Sequence, residues 1–214
     1  HKILGKPLIR WVYSALKEAG IQQNIVVVGH KAEQVKQEMG TELLYAEQQE
    51  QLGTAHAVSK ALNYLLDQEG HVVVMCGDTP LIKGDTLKEL ITYHQSNSNN
   101  CTILSATVVD ANGYGRIVRD ANGNVLKIVE YKDANENQLA INEINSGIYC
   151  FEISSLVKAL NQVQNNNTQG EYYLTDIVEI LVNQAKKVGA FSISNNEEIM
   201  GINDRKQLLL ATNI

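Results

Sequence analysis

Gln51-Leu52-Gly53-Thr54-Ala55-His56-Ala57, followed one strand later by Cys76-Gly77-Asp78-Thr79-Pro80-Leu81, decides how this chain is read. In the first stretch a glycine turn opens a helix. In the second, an apolar run ends in a lone carboxylate. Open parallel sheets bind ligands beyond the carboxyl ends of their strands. A carboxylate placed there suits Mg²⁺, which takes few protein oxygens and completes its shell with water and phosphate. The order of the two stretches points to nucleotide chemistry on an α/β scaffold.

Working outward, Pro7 suits a first helical turn, Leu8, Val12, Ala15, Leu16 and Ala19 recur at helical spacing, and Gly20 suits the stop. Residues 25–28 form a short apolar run that reads as a strand buried on both faces; a helix over 32–39 and a strand over 43–45 follow. Thr54 is expected to cap a helix with Ala57, Val58, Ala61, Leu62 and Leu65 on one face. A strand over 71–76 comes next, then a helix from Asp85 to His94 closed by the Asn/Ser cluster at 96–100. Strand and helix alternate, which predicts a Rossmann-like, mostly parallel sheet with helices on both faces. Beyond Cys101 the pattern becomes β-rich. A strand spans 101–109, a turn at 121–124 joins strands at 116–119 and 125–130, and another strand covers 145–151. Helices over 154–160 and from Thr175 or Asp176 to Lys187, a strand over 188–194 and a helix starting at Asp204 complete the reading.

Composition narrows the class. With 214 residues, of which 44% are hydrophobic, the chain can bury one sizeable core and reads as a single domain. A net charge of −6 argues against broad binding to nucleic acid or anionic membrane, either of which needs a basic stripe. Cys76, Cys101 and Cys150 are odd in number and lack C-x-x-C spacing, so neither a disulfide frame nor a zinc site is expected, and reduced thiols imply a cytoplasmic setting. No apolar run reaches membrane-spanning length and the first residues lack signal-peptide organisation.

Each candidate residue also has an ordinary structural reading. Gly53-Thr54 at a helix start offers N–H groups to an anion or a nucleobase carbonyl, or is a plain cap. Gln48 both donates and accepts hydrogen bonds, as reading a uracil edge requires, or faces solvent. Asp78 is either a metal ligand or a turn residue before Thr79-Pro80. Gly113-Tyr114-Gly115-Arg116 lets backbone approach a ligand, or is a turn. Glu130 and Asn145 suit sugar hydroxyls or ordinary surface. Gly201-Ile202-Asn203-Asp204 supplies a second oxygen ligand or a helix cap, and His56 reads as a packed or hydrogen-bonded histidine. No Ser-His-Asp order, H-E-x-x-H, Walker loop or G-x-G-x-x-G is present.

Seven stretches in order resemble one family: Gln48 with Gln51-Leu52-Gly53-Thr54, Gly77-Asp78-Thr79-Pro80-Leu81, Gly113-Tyr114-Gly115-Arg116, Val129-Glu130-Tyr131-Lys132-Asp133, Glu143-Ile144-Asn145-Ser146-Gly147, Gly170-Glu171-Tyr172-Tyr173-Leu174-Thr175-Asp176 and Gly201-Ile202-Asn203-Asp204-Arg205. That family is the uridyltransferase (pyrophosphorylase) domain of the bacterial bifunctional N-acetylglucosamine-1-phosphate enzyme, and the resemblance covers nearly the whole chain. It implies the nucleotide-diphospho-sugar transferase type of α/β fold, with the β-rich insertion binding sugar. Gln48 and Gly53-Thr54 would bind the uracil end, Cys76-Gly77 would pass the ribose, and Asp78 and Asn203 would hold Mg²⁺. Gly115, Glu130 and Asn145 would grip the N-acetylglucosamine ring. Cys76 and Ala55 depart from the aromatic residue and the glycine usual at those places.

The resemblance further implies UMP transfer from UTP to N-acetylglucosamine 1-phosphate, releasing pyrophosphate and supplying peptidoglycan and lipopolysaccharide precursors. The family's glycine-rich phosphate loop, with its arginine and lysine, would lie before His1. Its acetyltransferase domain, a trimer-forming left-handed β-helix, would follow Ile214. The isolated chain is therefore expected to be nearly inactive. The alternatives are another sugar-1-phosphate nucleotidyltransferase, taking UTP or TTP with a hexose 1-phosphate, and a non-catalytic nucleotide-binding piece. A glycosyltransferase of related fold usually carries Asp-x-Asp, which Asp78-Thr79-Pro80 is not.

Overall fold

The computed structural model describes residues 2–202 and 205–212. Asn203 and Asp204, expected as a metal ligand and a helix start, lie outside the described residues. The chain opens with the hairpin of β1 (Lys2–Ile3) and β2 (Lys6–Pro7), then α1 (Leu8–Glu18), β3 (Ile25–Val28), α2 (Ala32–Met39) and β4 (Leu44–Glu47). It continues with α3 (Thr54–Lys60), a 3₁₀ turn at Leu62–Tyr64, β5 (His71–Val74), α4 (Gly84–Ser96), β6 (Cys101–Thr107) and the β7 (Arg116–Arg119) and β8 (Val125–Val129) pair. After α5 (Glu136–Leu139) come β9 (Glu143–Glu152), α6 (Ile153–Leu160), α7 (Asp176–Asn183), β10 (Val188–Ile193), a 3₁₀ turn at Asn196–Ile199 and α8 (Arg205–Thr212).

This is the α/β class expected from the alternation of elements. Strands β3 and β4 pair in parallel across the α2 crossover, and β10 pairs in parallel with β6. Strand β9 is antiparallel to both β5 and β6, so β5, β6 and β10 run the same way with β9 reversed between them. On one edge β9 meets β6 along most of its length. On the other, its carboxyl half pairs with β5, from Val74↔Tyr149 to His71↔Glu152, and its amino half meets β7 at Arg116↔Ile144. The β7–β8 hairpin is thereby spliced into the sheet beside β5. This is how the β-rich insertion joins the parallel frame.

Side chains alternate across the sheet, and each face is covered by helices. Ile103 and Phe151 face a core shared with Ala55 of α3, Leu156 of α6 and Ile177 and Leu181 of α7. Leu104, Ile148 and Cys150 face the opposite core with Ala15 of α1 and Leu87 and Leu90 of α4. Helices α1 and α4 approach so closely that a Cβ on Gly84 would lie 2.4 Å from the Cβ of Glu18, which is why a glycine is found inside α4. Burying the fully covered Leu87, Leu90, Ile103, Leu156 and Ile177 contributes roughly 1.5–3 kcal/mol per side chain before entropy is counted. At the far end of α4 the buried His94 ring bonds Thr102 Oγ1 (2.9 Å) and His71 Nδ1 (3.0 Å), tying α4 to β6 and β5. Burial, aided by His71, pushes His94 down to about 4, so it packs as a neutral ring at pH 7.

Several expected boundaries shift for identifiable reasons. Lys83, not Asp85, occupies the N-cap of α4, and Asp85 sits in the first turn against Lys88 at 2.9 Å. The helix after Gly53 ends at Lys60, with Leu62 on the 3₁₀ turn. The helix expected to reach Lys187 stops at Asn183, and Ala185 then takes φ +55°. Strand β4 runs two residues past Tyr45, which carries Gln48 to the carboxyl edge where Gln48 N bonds Val28 O at 2.8 Å. All three cysteines are free, and burial holds the Cys101 and Cys150 thiols up, Cys150 at about 12. Among the described residues no helix is long and apolar enough to cross a membrane.

Candidate active site

The candidate residues fall into two clusters with Asp78 beside them. The first is built on the carboxyl ends of β3 and β4. The Gln48 side-chain amide donates to Gly53 O (3.1 Å) and lies 3.0 Å from His56 Nδ1. Gly53 adopts φ +115°, and a Cβ there would stand 2.5 Å from Tyr172 O and 2.7 Å from Tyr172 N, so only glycine fits. The Tyr172–Leu174 segment is laced to this turn: Tyr172 N bonds Leu52 O (2.8 Å), Ala55 N bonds Tyr172 O (2.9 Å) and Leu174 N bonds Thr54 Oγ1 (2.9 Å).

Those bonds revise the reading of Gly53-Thr54. The residue at the N-cap is Gly53, and the Thr54 hydroxyl serves Leu174 rather than the helix end. Helix α3 has seven residues, and its Ala55 N–H is already committed to Tyr172 O. The turn also supplies the carbonyl, Gly53 O, that receives the Gln48 amide. Gln48 itself lines a crevice with Val28, Gly29, His30, Glu47 and Gln51. A second hollow, between α4 and β10 and lined by Lys88, Glu89, Thr92, Tyr93 and Phe191, contains no candidate residue.

The second cluster unites Gly115, Glu130 and Asn145, which are far apart in sequence. Asn145 N bonds Gly115 O at 2.9 Å, and a Cβ on Gly115 would stand 3.0 Å from Ile128 Cγ2 and 3.3 Å from Glu130 Oε2. The buried Asn145 amide donates to the Tyr149 hydroxyl (2.7 Å) and its Oδ1 accepts from Gly147 N (3.1 Å). Glu130 Oε1 accepts from the buried Thr175 hydroxyl at 3.0 Å, leaving Oε2 toward Gly115. Burial raises the Glu130 carboxyl above its ordinary range, with the Thr175 bond opposing and Asp133 adding to the rise. Burial likewise lifts Asp176 to about 6, with Glu179, Glu130 and Asp133 adding to it. Arg116, almost fully buried, donates to the carbonyls of Tyr114 and Leu139 and so pins the Gly113–Gly115 turn.

Asp78 follows β5 at its carboxyl edge and is half-buried. Burial raises its carboxyl above the usual carboxylate range, and no described cation pairs with it. Burial pushes up the phenol of Tyr114, and the charge of Asp78 adds to the rise. Its carbonyl accepts from Ile202 N at 2.9 Å, which brings the chain immediately before Asn203 alongside it. Thr79, the residue after Asp78, donates its hydroxyl to Cys76 O at 3.1 Å, and Cys76 is exposed. A half-buried carboxylate with no ion-pair partner among the described residues has the donor chemistry that a hard divalent cation takes.

Three contributors escaped the sequence reading. From sequence, Thr175 reads only as a helix cap, His56 as a packed or hydrogen-bonded ring, and Tyr172 has no individual role. For Thr175 and Tyr172 the signal is long-range, with Thr175 meeting Glu130 across 45 positions of sequence, whereas His56 meets Gln48 only eight positions away.

Comparison with known proteins matches these features to one family. Residues 2–197 fit the family model described as nucleotidyl transferase. The chain is 54% identical over 214 residues to the bifunctional protein GlmU of Acetivibrio thermocellus, covering all of this chain and 46% of that protein. It is 53% identical over the same span to bifunctional protein GlmU of Thermoanaerobacter pseudethanolicus, also covering 46% of it. Against bifunctional protein GlmU of Clostridioides difficile it is 49% identical, again over all of this chain and 46% of the relative. The chain thus spans about half the length of the curated relatives it matches. With a matched model running through both clusters and Asp78, the chain belongs to the nucleotidyl transferase family.

Proposed function

We propose that the chain transfers UMP from UTP to N-acetylglucosamine 1-phosphate, giving UDP-N-acetylglucosamine and pyrophosphate. The observation that supports this most is the convergence of Gly115, Glu130 and Asn145, far apart in sequence, on one spot. Gln48, at the β4 end, receives the uracil. Cys76 and Gly77 border the ribose, and Gly115, Glu130 and Asn145 hold the sugar through backbone, carboxylate and amide. The sugar-phosphate oxygen attacks the α-phosphorus in line and the P–O bond to the leaving pyrophosphate breaks. No covalent enzyme intermediate is needed, so the protein's task is to align two polyanions and balance their charge.

Asp78 and Asn203 would hold Mg²⁺, which when bound offsets phosphate charge and templates the two substrates. Glu130 is fixed by Thr175 on one oxygen and presents the other to a sugar hydroxyl. The Asn145 amide is oriented by Tyr149 and Gly147, so its remaining capacity is aimed rather than free to rotate. The product would feed peptidoglycan and lipopolysaccharide synthesis in the cytoplasm, and the full-length protein would assemble as a homotrimer outside this chain.

Pyrophosphate release by the full-length protein, with UTP or TTP against N-acetylglucosamine 1-phosphate or glucose 1-phosphate, tests the assignment. Fast release is expected only for UTP with N-acetylglucosamine 1-phosphate. A preference for TTP or glucose 1-phosphate makes the protein a different sugar nucleotidyltransferase. No release with any pair overturns the catalytic reading.

A further inference from the structure

His56 lies outside every role assigned so far, yet it is bonded to the residue assigned to the base. The Gln48 amide group facing Gly53 O at 3.1 Å must be the nitrogen, because a carbonyl oxygen can only accept. The same nitrogen lies 3.0 Å from His56 Nδ1, so that ring atom must accept as well and His56 carries its proton on Nε2. Both N–H bonds of the Gln48 amide are then committed inside the protein. Among the described residues nothing donates to Gln48 Oε1, and Gln48 lines the crevice at the ends of β3 and β4.

We infer that His56 is a positioning residue that fixes base choice: by accepting the second Gln48 N–H it leaves the site an outward carbonyl oxygen, which selects an imide N–H and refuses an unprotonated ring nitrogen. Uracil and thymine present N3–H to such an oxygen. Cytosine presents a lone pair at N3 and is repelled. Gly53 O alone is a weaker guide for the amide, because it already accepts from Ala57 N at 3.1 Å. Without the His56 acceptor one amide N–H becomes free, and the group can swing to offer a donor instead. The ring centroid lies 6.4 Å from that of Tyr172, the residue that braces Gly53.

This inference rests on the assignment of Gln48 to the base, and the experiment separates the two. In the full-length protein, kcat/KM for UTP and for CTP is measured by pyrophosphate release for the parent, His56→Phe and His56→Asn. His56→Phe is expected to raise KM for UTP with kcat little changed and to cut the UTP:CTP ratio on the order of tenfold, the scale of one hydrogen bond. His56→Asn, whose side-chain oxygen can take the place of Nδ1, is expected to recover most of the ratio. A folded His56→Phe as selective as the parent overturns the role of His56 alone. A parent that accepts UTP and CTP equally overturns the uridine assignment and this inference with it. ¹⁵N shifts of the imidazole in the unmodified protein decide the matter even if His56→Phe does not fold: the Nε2–H tautomer is expected, and a proton on Nδ1 excludes the arrangement.

Discussion

Asp78→Asn is expected to lower pyrophosphate release about a thousandfold, the scale of losing a metal ligand that offsets phosphate charge, without lowering the melting temperature. The second half follows from the sign of its pKa shift. Burial raises the carboxyl, so the folded state binds the proton more tightly than the unfolded chain does. The ionised form is then a liability to the fold above the ordinary carboxylate pKa, and the liability fades as pH falls. Replacing the charge with an amide of the same shape removes that cost, so the variant should melt at the parent temperature or above it. Loss of activity with retained or increased stability is the signature of a residue kept for chemistry. A variant that melts normally and still releases pyrophosphate at the parent rate removes Asp78 from the mechanism.

Gly53→Ala is expected to destabilise the fold strongly. The new Cβ would meet backbone atoms of Tyr172 at 2.5 and 2.7 Å, and φ +115° is strained for any L side chain. Neither partner can rotate away, because Tyr172 is itself bonded to Leu52 and Ala55. A stability loss of at least about 3 kcal/mol is anticipated from the two penalties together. The turn would open, and Gln48 would lose the carbonyl that orients its amide. Denaturant unfolding of the full-length protein measures the first consequence, and KM for UTP in the surviving folded fraction measures the second. Equal stability in the variant and the parent would show that Tyr172 does not brace this turn.

Local signals in the sequence were sufficient for the frame. The helical spacing of Leu8, Val12 and Ala15 and the apolar run at 25–28 became α1 and β3 because burial of one stripe or both faces leaves a short-range pattern. The Ala121-to-Asn124 turn between β7 and β8 was legible for the same reason, since Gly123 takes φ +84° where only glycine is comfortable. Reversal of β9 was not legible, because an apolar run carries no sign of the direction of its partner. The caps failed where tertiary contacts outbid local ones. Thr54 looks like a cap in isolation, but Leu174 N lies 2.9 Å from its hydroxyl. Thr175 does occupy the N-cap of α7 as expected, but its hydroxyl turns to Glu130 instead of the helix end. At the site, sequence motifs named Gly115, Glu130 and Asn145, and folding placed them together. The motifs could not reveal Thr175 and Tyr149, which aim Glu130 and Asn145, or His56, which meets Gln48, since these act only through contacts made in three dimensions.

The most direct measurement is a crystal structure of the full-length protein with UDP-N-acetylglucosamine and Mg²⁺. The result expected has the uracil N3–H on Gln48 Oε1, the sugar hydroxyls on Glu130 and Asn145 beside Gly115, and the cation on Asp78. A nucleotide lodged elsewhere, such as the hollow between α4 and β10, or a sugar that touches neither Glu130 nor Asn145, would contradict it.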